Sequence, residues 1–322
     1  MSIPIFIIKR LIHAIPILIL VSMLGFAIMR LSPVDPLGEL RITPGIAEET
    51  IKAEEKRLGL DKPLVVQYFI WASGFLKGDL GISKTNQPVA SRIMERVPNT
   101  LVLVITSILV SWCIAIPLGV FAALRWRSKT DRILTILASI GMAIPSFFFA
   151  LLLLIFAVRT GWFPVGGLTS VGFEKMNLFQ QFLDLAHHLI LPVTVIATIS
   201  VAGIQRQMRA NLLDVLEADY VKMARAKGLP ENKVINKHAL RNAINPLVTL
   251  LGFEFAGLLS GSALVEMVLQ YPGLGRLILQ AVLELDLNLV MASLMIGTIM
   301  LIIGNLIADI LLKFVDPRIT LG

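Results

Sequence analysis

Two stretches of this chain, 99–124 and 133–158, contain no Asp, Glu, Lys or Arg. At 1.5 Å per residue each would run for about 39 Å as an α-helix. The hydrocarbon core of a bilayer is about 30 Å thick, and an uncharged apolar run of about 18 residues or more reads as a span. Composition agrees: 56% of the residues are hydrophobic and 16% are charged, against about 25% charged in soluble domains. The net charge of +7 does not indicate a nucleic-acid partner, because the basic residues sit in short connections between apolar runs, the pattern of membrane topology. Cys113 is the only cysteine, so an intramolecular disulfide and a Cys-based metal site are excluded. It lies in an apolar run, as inert helix packing.

The apolar periodicity predicts an all-α integral membrane protein with six transmembrane helices, at roughly 10–30, 99–124, 132–158, 188–206, 244–267 and 289–313. Lys9 and Arg10 precede the first run, the charge order of a signal peptide. That run is long enough to span, and no small-residue cleavage site follows, so it reads as a retained helix. Its only ionisable residue inside is His13. Orientation follows from the short loops. Arg125, Arg127, Lys129 and Arg132 separate spans two and three, and eight Lys or Arg from Arg206 to Arg241 separate spans four and five. The connections on the other face, 159–187 and 268–288, hold only Arg159, Lys175 and Arg276. The positive-inside rule then places both termini and the 207–243 loop in the cytoplasm.

Two divisions result: 1–98, the first helix plus an extracytoplasmic segment, and 99–322, a five-helix transmembrane domain with the loop 207–243. The segment 31–98 is too long and charged for a simple connection. Its stretch 47–58 has helical character, with Ile51 and Leu58 on one side, acidic residues in the first turn and Gly59 as a stop. A small helical outer insertion packed on the spans is expected. Pro117 with Gly119, and Gly141 with Pro145, should bend their helices, and Gly257 with Gly261 makes a small-residue face for close backbone approach. Irregular residues at membrane depth suit a protein with a pathway; plain helix packing accounts for them equally well.

The loop 207–243 reads as two short helices. Leu212, Leu213, Leu216, Tyr220 and Met223 recur at helical spacing in the first. Ala224 and Ala226 keep its surface thin, and Gly228 stands where a left-handed C-cap residue is wanted. Leu229-Pro230-Glu231 starts the second helix, which runs through Val234, Ile235 and His238 to about Asn242. A helix–Gly–helix hairpin projecting into the cytoplasm is a handle for another protein, with a charged rim for orientation. A solvated amphipathic hairpin is the alternative.

Glu217-Ala218-Asp219-Tyr220-Val221, Ala224-Arg225-Ala226-Lys227-Gly228 and Lys237-His238-Ala239-Leu240-Arg241-Asn242-Ala243 resemble the "EAA" cytoplasmic loop of ABC-importer permeases, in the form of the dipeptide/oligopeptide/nickel group. The resemblance runs nearly end to end. Leu58-Gly59-Leu60-Asp61-Lys62-Pro63, Gln67-Tyr68 and Gly78-Asp79-Leu80-Gly81 are similar to the outer segment of the group's first permease subunit. Val97-Pro98-Asn99-Thr100-Leu101, Glu266, Tyr271-Pro272-Gly273-Leu274-Gly275-Arg276-Leu277 and Asp316-Pro317-Arg318-Ile319 resemble its later landmarks. The chain departs from the pattern at Glu254, where relatives more often carry an uncharged residue, and at Asp286-Leu287-Asn288, where a proline is usual.

The resemblance implies a permease subunit in a prokaryotic plasma membrane, not an enzyme. It implies a homologous second permease, two cytoplasmic ATPase subunits that bind ATP and Mg, and an extracytoplasmic substrate-binding protein. No cofactor is expected in this chain itself. The coupling loop carried over is Glu217, Ala218, Asp219, Tyr220, Ala224, Arg225, Ala226, Lys227, Gly228 and His238. The implied substrates are di- or oligopeptides, with nickel or another small solute as the alternative. An ion-coupled secondary transporter would need paired ionisable groups at mid-membrane, and Glu254 is nearly alone there.

Gly78 to Thr85 nearly matches a phosphate-binding loop, but Ser83 occupies a required glycine position and no buried strand precedes it. His187 and His188 point about 100° apart on a helix, with no third ligand nearby. Asp309 and Asn305 in the last span read as structural. Glu254 is different. A carboxylate at mid-span costs about 2.5–3.5 kcal/mol to insert, so it faces protein or water. It either lines a cavity and meets a cation such as a peptide amino terminus, or is hydrogen-bonded between helices.

Overall fold

In a computed structural model the protein is described over residues 3–31, 37, 38, 41, 47–57 and 60–315. Among these residues the regular structure is all helical, apart from one isolated β-bridge between Ile82 and Pro88. Helix α1 is Ile3–Leu31, followed by α2, Glu48–Arg57, and α3, Leu64–Leu76. Then come α4, Val89–Leu124, α5, Lys129–Ala143, α6, Ser146–Thr160, and α7, Leu178–Leu216. Asp219–Ala226 forms α8. Glu231–Lys233 is α9, and a π-helical stretch, Val234–Ala239, joins it to α10, Leu240–Gly261. The chain closes with α11, Ala263–Val268, α12, Leu274–Leu283, and α13, Leu287–Val315.

Four described helices are long and apolar enough to cross a membrane: α1, α4, α7 and α13. The third expected span is not one straight helix. Helices α5 and α6 qualify only as a pair, bent by 95°. Pro145 is the cause. It has no N–H to continue the ladder and pushes Ile144 out of the helical region, to φ −81°, ψ 120°. The expected bend at Pro117 breaks nothing, and α4 is continuous through it. The fifth expected span falls on α10, 22 residues long.

Helix α7 is the central pillar. Half of its apolar window is buried inside the protein, against 17% for α1. Its partners are chiefly α4, with α5, α6 and α10 around it. Helix α13 holds α1 and α10, and Arg10 of α1 pairs with Asp309 at 2.8 Å, which confirms a structural use for that acid. Asn305 packs tightly against Gly252 of α10. The close approach expected at Gly257 is not made among the described residues, where no heavy atom lies within 4 Å of an added Cβ. The side-chain surroundings of Gly261 lie outside the described residues.

The insertion after α1 is helical and docked on that helix. Helix α2 matches 47–58 to within a residue at each end, with Glu48 and Glu49 in its first turn; Leu58 and Gly59 lie outside the described residues. Helix α3 leans on the end of α1: the Tyr68 ring stacks edge-on against Phe26 at 5.6 Å, and the Tyr68 and Ser22 hydroxyls are 2.8 Å apart. The phosphate-loop lookalike serves packing. Ser83 Oγ donates to Asp286, Lys84 N donates to the same carboxylate at 3.0 Å, and Arg92 donates to Ser83 Oγ at 2.6 Å. Asp286 also accepts Leu289 N and so caps α13. The Asp286-Leu287-Asn288 departure thus has a physical use: one buried acid clasps the insertion to the last helix.

Candidate functional site

The candidate hairpin is built where α7, α8 and α10 converge. Helix α7 does not stop at 206 but continues to Leu216, so Leu212, Leu213 and Leu216 belong to it and not to a separate hairpin helix. The break comes at Glu217 and Ala218, and α8 starts at Asp219. The second arm does not end at Asn242 either; it runs through the π-helical stretch straight into α10. The element is therefore the butt ends of two long helices bridged by α8, and it does not project free.

The buried face of α8 also differs from the expected one. Tyr220 and Met223 are exposed at 43% and 57%, while Val221 and Ala224 are buried. Val221 and Ala224 share one apolar cluster with Met208, Leu212, Val234, Ala239, Ala243 and Leu247. Helical spacing alone cannot choose between a face and its neighbour one residue on, because both recur every three to four positions. Ala224 and Val221 thus fix α8 to its own protein, and the outward surface is left to Tyr220, Met223, Lys222, Arg225, Ala226 and Lys227.

Gly228 is where the sequence placed it. Its φ is +74°, the left-handed C-cap conformation. Gly228 N donates to Arg225 O at 2.9 Å and Leu229 N to Ala224 O at 3.4 Å, the two bonds of a Schellman turn. Across that turn Arg225 Nη2 donates to Glu231 Oε1 at 2.7 Å. The guanidinium holds the Glu231 carboxyl below its ordinary value, and the carboxylate raises Arg225 in return. Tyr220 Oη accepts from Asn242 Nδ2 at 3.1 Å, and Asn242 in turn donates to the His238 carbonyl, so α8 is stitched to the second arm. Sequence reading singled out Arg225 and His238 but missed both partners.

One turn away, Arg209 Nε and Nη2 clamp Asp131 of α5 at 2.6 and 2.8 Å, with the Asp131 side chain 6% exposed. Arg127 N donates to the same carboxylate. This clamp ties the start of α5 to the hairpin end of α7, a pairing that the loop charges alone did not reveal.

Inside the apolar region Glu254 of α10 is half-buried. Its Oε2 accepts from Trp112 Nε1 of α4 at 2.7 Å, and Ser200 of α7 is a second donor. Leu250 and Phe253 beside it are exposed, at 43% and 70%, and Gly257 faces open space. The carboxylate therefore lies at the edge of an α10 face that the described residues leave uncovered.

Near the other end, the motifs around 97–101 and 271–277 lock together. Tyr271 Oη donates to Asn99 O and Asn99 Nδ2 to Pro272 O, both at 2.8 Å, and Leu274 N donates to Thr100 Oγ1 at 2.7 Å. Glu266 is fully buried beneath them, accepting from Thr100 Oγ1, Ser262 Oγ and Arg276 N. A Cβ on Gly273 would lie 2.4 Å from the Glu266 carboxyl carbon, so the glycine is required by the acid. His187 and His188 each meet a backbone carbonyl, of Trp162 and Asp184. No cluster of three or more metal-ligating side chains occurs among the described residues. Asp316-Pro317-Arg318-Ile319 lies outside the described residues.

Comparison with known proteins agrees with this arrangement. Residues 115–321 match the family profile described as "Binding-protein-dependent transport system inner membrane component". Residues 3–104 match the profile of the N-terminal part of such membrane components. The chain is 42% identical over 317 residues to the oligopeptide transport system permease protein AppB of Bacillus subtilis (strain 168), covering 98% of each. It is 36% identical to the glutathione transport system permease protein GsiC of Escherichia coli O6:H1, again over 98% of each. A putative peptide transport system permease protein of Brucella abortus (strain 2308) is 35% identical, with 97% of this chain and 98% of the relative covered. With both profiles matched and full-length relatives this similar, the chain belongs to the family of inner-membrane permease components of binding-protein-dependent transport systems.

Proposed function

We propose that this chain is one of two permease subunits of an ATP-driven importer, and that its solutes are peptides. The observation that carries the reading is the hairpin. It combines a short helix anchored from behind by Val221 and Ala224, a glycine turn, and an outward polar surface at the ends of two long helices. Anything that pushes on α8 moves α7 and α10 together, because both end in its core. A cytoplasmic ATPase that changes shape with ATP and Mg acts on the helices at this point. Peptide as solute is supported by the names of relatives such as the oligopeptide permease AppB.

The remaining parts follow from the same reading. All six apolar segments cross the bilayer, α10 included. Both termini and the hairpin face the cytoplasm, on the charge of the short loops, and α2 and α3 lie outside. The uncovered α10 face at Leu250, Phe253 and Gly257 meets the second permease or the path between the two. Glu254, at the edge of that face, lines the path and answers a cationic group on the solute. An extracytoplasmic binding protein delivers the solute.

Two measurements test this. Affinity purification of the tagged chain from its own membranes should recover a second permease and two ATPase chains; recovery of this chain alone, with solute uptake unaffected by ATP depletion, refutes the importer. Single-cysteine labelling of intact cells, in a Cys113→Ser background, should reach Glu55→Cys and not Lys129→Cys. The reverse pattern overturns the orientation.

A further inference from the structure

At the end of α4 away from the hairpin, Arg96 and Arg276 of α12 line a cavity of about 90 Å³ together with Gly273, Leu277 and Gln280. Both arginines are half-buried, and neither guanidinium has a hydrogen-bond or ion-pair partner among the described residues. The other cations packed against this end are engaged: Arg92 donates to Ser83 and Thr85, and Lys84 Nζ to the Glu284 carbonyl. The nearest buried acid, Glu266, lies behind Gly273, and its oxygens are occupied by Thr100, Ser262 and Arg276 N. Glu95, beside Arg96 in sequence, is exposed.

Two half-buried guanidinium groups that line one cavity with their donors unfilled favour an anion there. Two guanidinium forks and the Gln280 amide supply planar donors that match a carboxylate. Size narrows the choice further. Sites for whole small molecules occupy about 300–1,000 Å³, so 90 Å³ admits a single carboxylate group on a side chain and not a peptide. The walls are positioned from both sides: Gly273 by the hydrogen bonds of the following residues, Leu274 N to Thr100 and Arg276 N to Glu266, and Leu277 by its buried packing in the cluster with Ile93 and Leu289.

We propose that the Arg96–Arg276 cavity is a docking socket for an acidic side chain of the extracytoplasmic binding protein, an inference that rests on the importer reading above. The socket sits on α12, which continues from the Tyr271-Pro272-Gly273 turn and packs on α4, α11 and α13. A seated carboxylate would therefore bear on the turn that fixes the start of α4 to α11.

The test uses the complete transporter in phosphatidylcholine vesicles, with its own binding protein titrated and ATP hydrolysis measured. Arg96→Gln with Arg276→Gln should raise the half-maximal binding-protein concentration about tenfold at low salt, as loss of a charged contact does. The gap should narrow at high salt, where exposed charges are screened. Arg276→Glu should weaken docking further, and a lysine replacing one surface acid of the binding protein should restore it; such rescue also excludes misfolding of the variant. An unchanged titration in the double variant, with wild type responding, overturns the socket alone. A wild-type transporter that ignores the binding protein overturns the importer reading and the socket with it. A defect seen only with peptides bearing a free C-terminal carboxylate, not with their amides, assigns the cavity to the solute instead. A defect that appears only when phosphatidylglycerol is added assigns it to a lipid phosphate.

Discussion

Substitution of Gly228 isolates the turn from everything around it. At φ +74° an L side chain is strained, yet a Cβ here meets no heavy atom within 4 Å, so the cost is backbone strain without a clash. A residue forced into the left-handed region costs about 1–2 kcal/mol, and a β-branched one sits at the upper end. Taking about 2 kcal/mol, Gly228→Val lowers the population of the closed turn roughly thirtyfold, since 1.4 kcal/mol is tenfold. Asn tolerates the same conformation at a small penalty. The turn is defined by the Gly228 and Leu229 amides, which donate to Arg225 O and Ala224 O. Amide hydrogen exchange at Leu229 should therefore quicken by about thirtyfold in Gly228→Val, and only a few-fold in Gly228→Asn. Capture of the ATPase subunit from membranes should fall in the same order. Equal behaviour of the Val and Asn variants, in exchange and in ATPase capture, would refute the argument that the left-handed conformation matters.

Asp131→Ala leaves Arg209 half-buried without its clamp and should cost about 3 kcal/mol, read as a lower thermal midpoint in detergent, whereas Asp131→Leu with Arg209→Met should lose less. Glu231 titrates below its ordinary value of 4.5 in the folded protein. Its pairing with Arg225 is therefore fully present above that value and lost as the pH falls through the depressed one. Stability of the wild type should decline more than that of Glu231→Gln in an acid titration below about pH 4.5. Glu254→Gln should keep the assembly intact and alter uptake of cationic peptides more than anionic ones; equal effects on both classes would leave Glu254 a purely structural partner of Trp112.

The membrane class and most helix positions were legible because they rest on solvent. A long apolar run has few places to go, and 99–124, 188–206 and 289–313 all fall inside helices of the structure. Helix ends were less legible. Helix α4 begins ten residues early at Val89 and α7 runs on to Leu216, because helical propensity continues past the apolar run while hydropathy does not. Pro145 broke its span and Pro117 did not. Local sequence gave the two prolines equal standing, and their different outcomes depend on packing that no short window contains. In the hairpin, Gly228 was legible because its signal is conformational and local. The inward face of α8 was not, since Val221 and Ala224 are small and Tyr220 and Met223 are large, and size misleads where the neighbouring helices leave room only for small side chains.

The acids illustrate the same limit and also sort themselves by it. Asp286 and Glu266 are fully or nearly fully buried, yet each receives a backbone N–H from the start of a helix, Leu289 N of α13 and Arg276 N of α12. Helix starts supply both orphan donors and the positive end of the dipole, so an acid there is compensated on the spot. Asp131 lies in the first turn of α5 and adds a bidentate arginine. Sequence could not have found the Glu266 pairing, because the helix it serves is not the helix that carries it. Glu254 has none of these supports. It lies in the middle of α10, where every backbone N–H is already committed, and its recorded donors are side chains of two other helices, Trp112 and Ser200. Among these four acids it is the one whose charge the fold compensates least and whose helix face is least covered. A cation passing along that face would meet a carboxylate held in place by Trp112 but not neutralised by it, which is the condition for a residue that acts on a solute without trapping it.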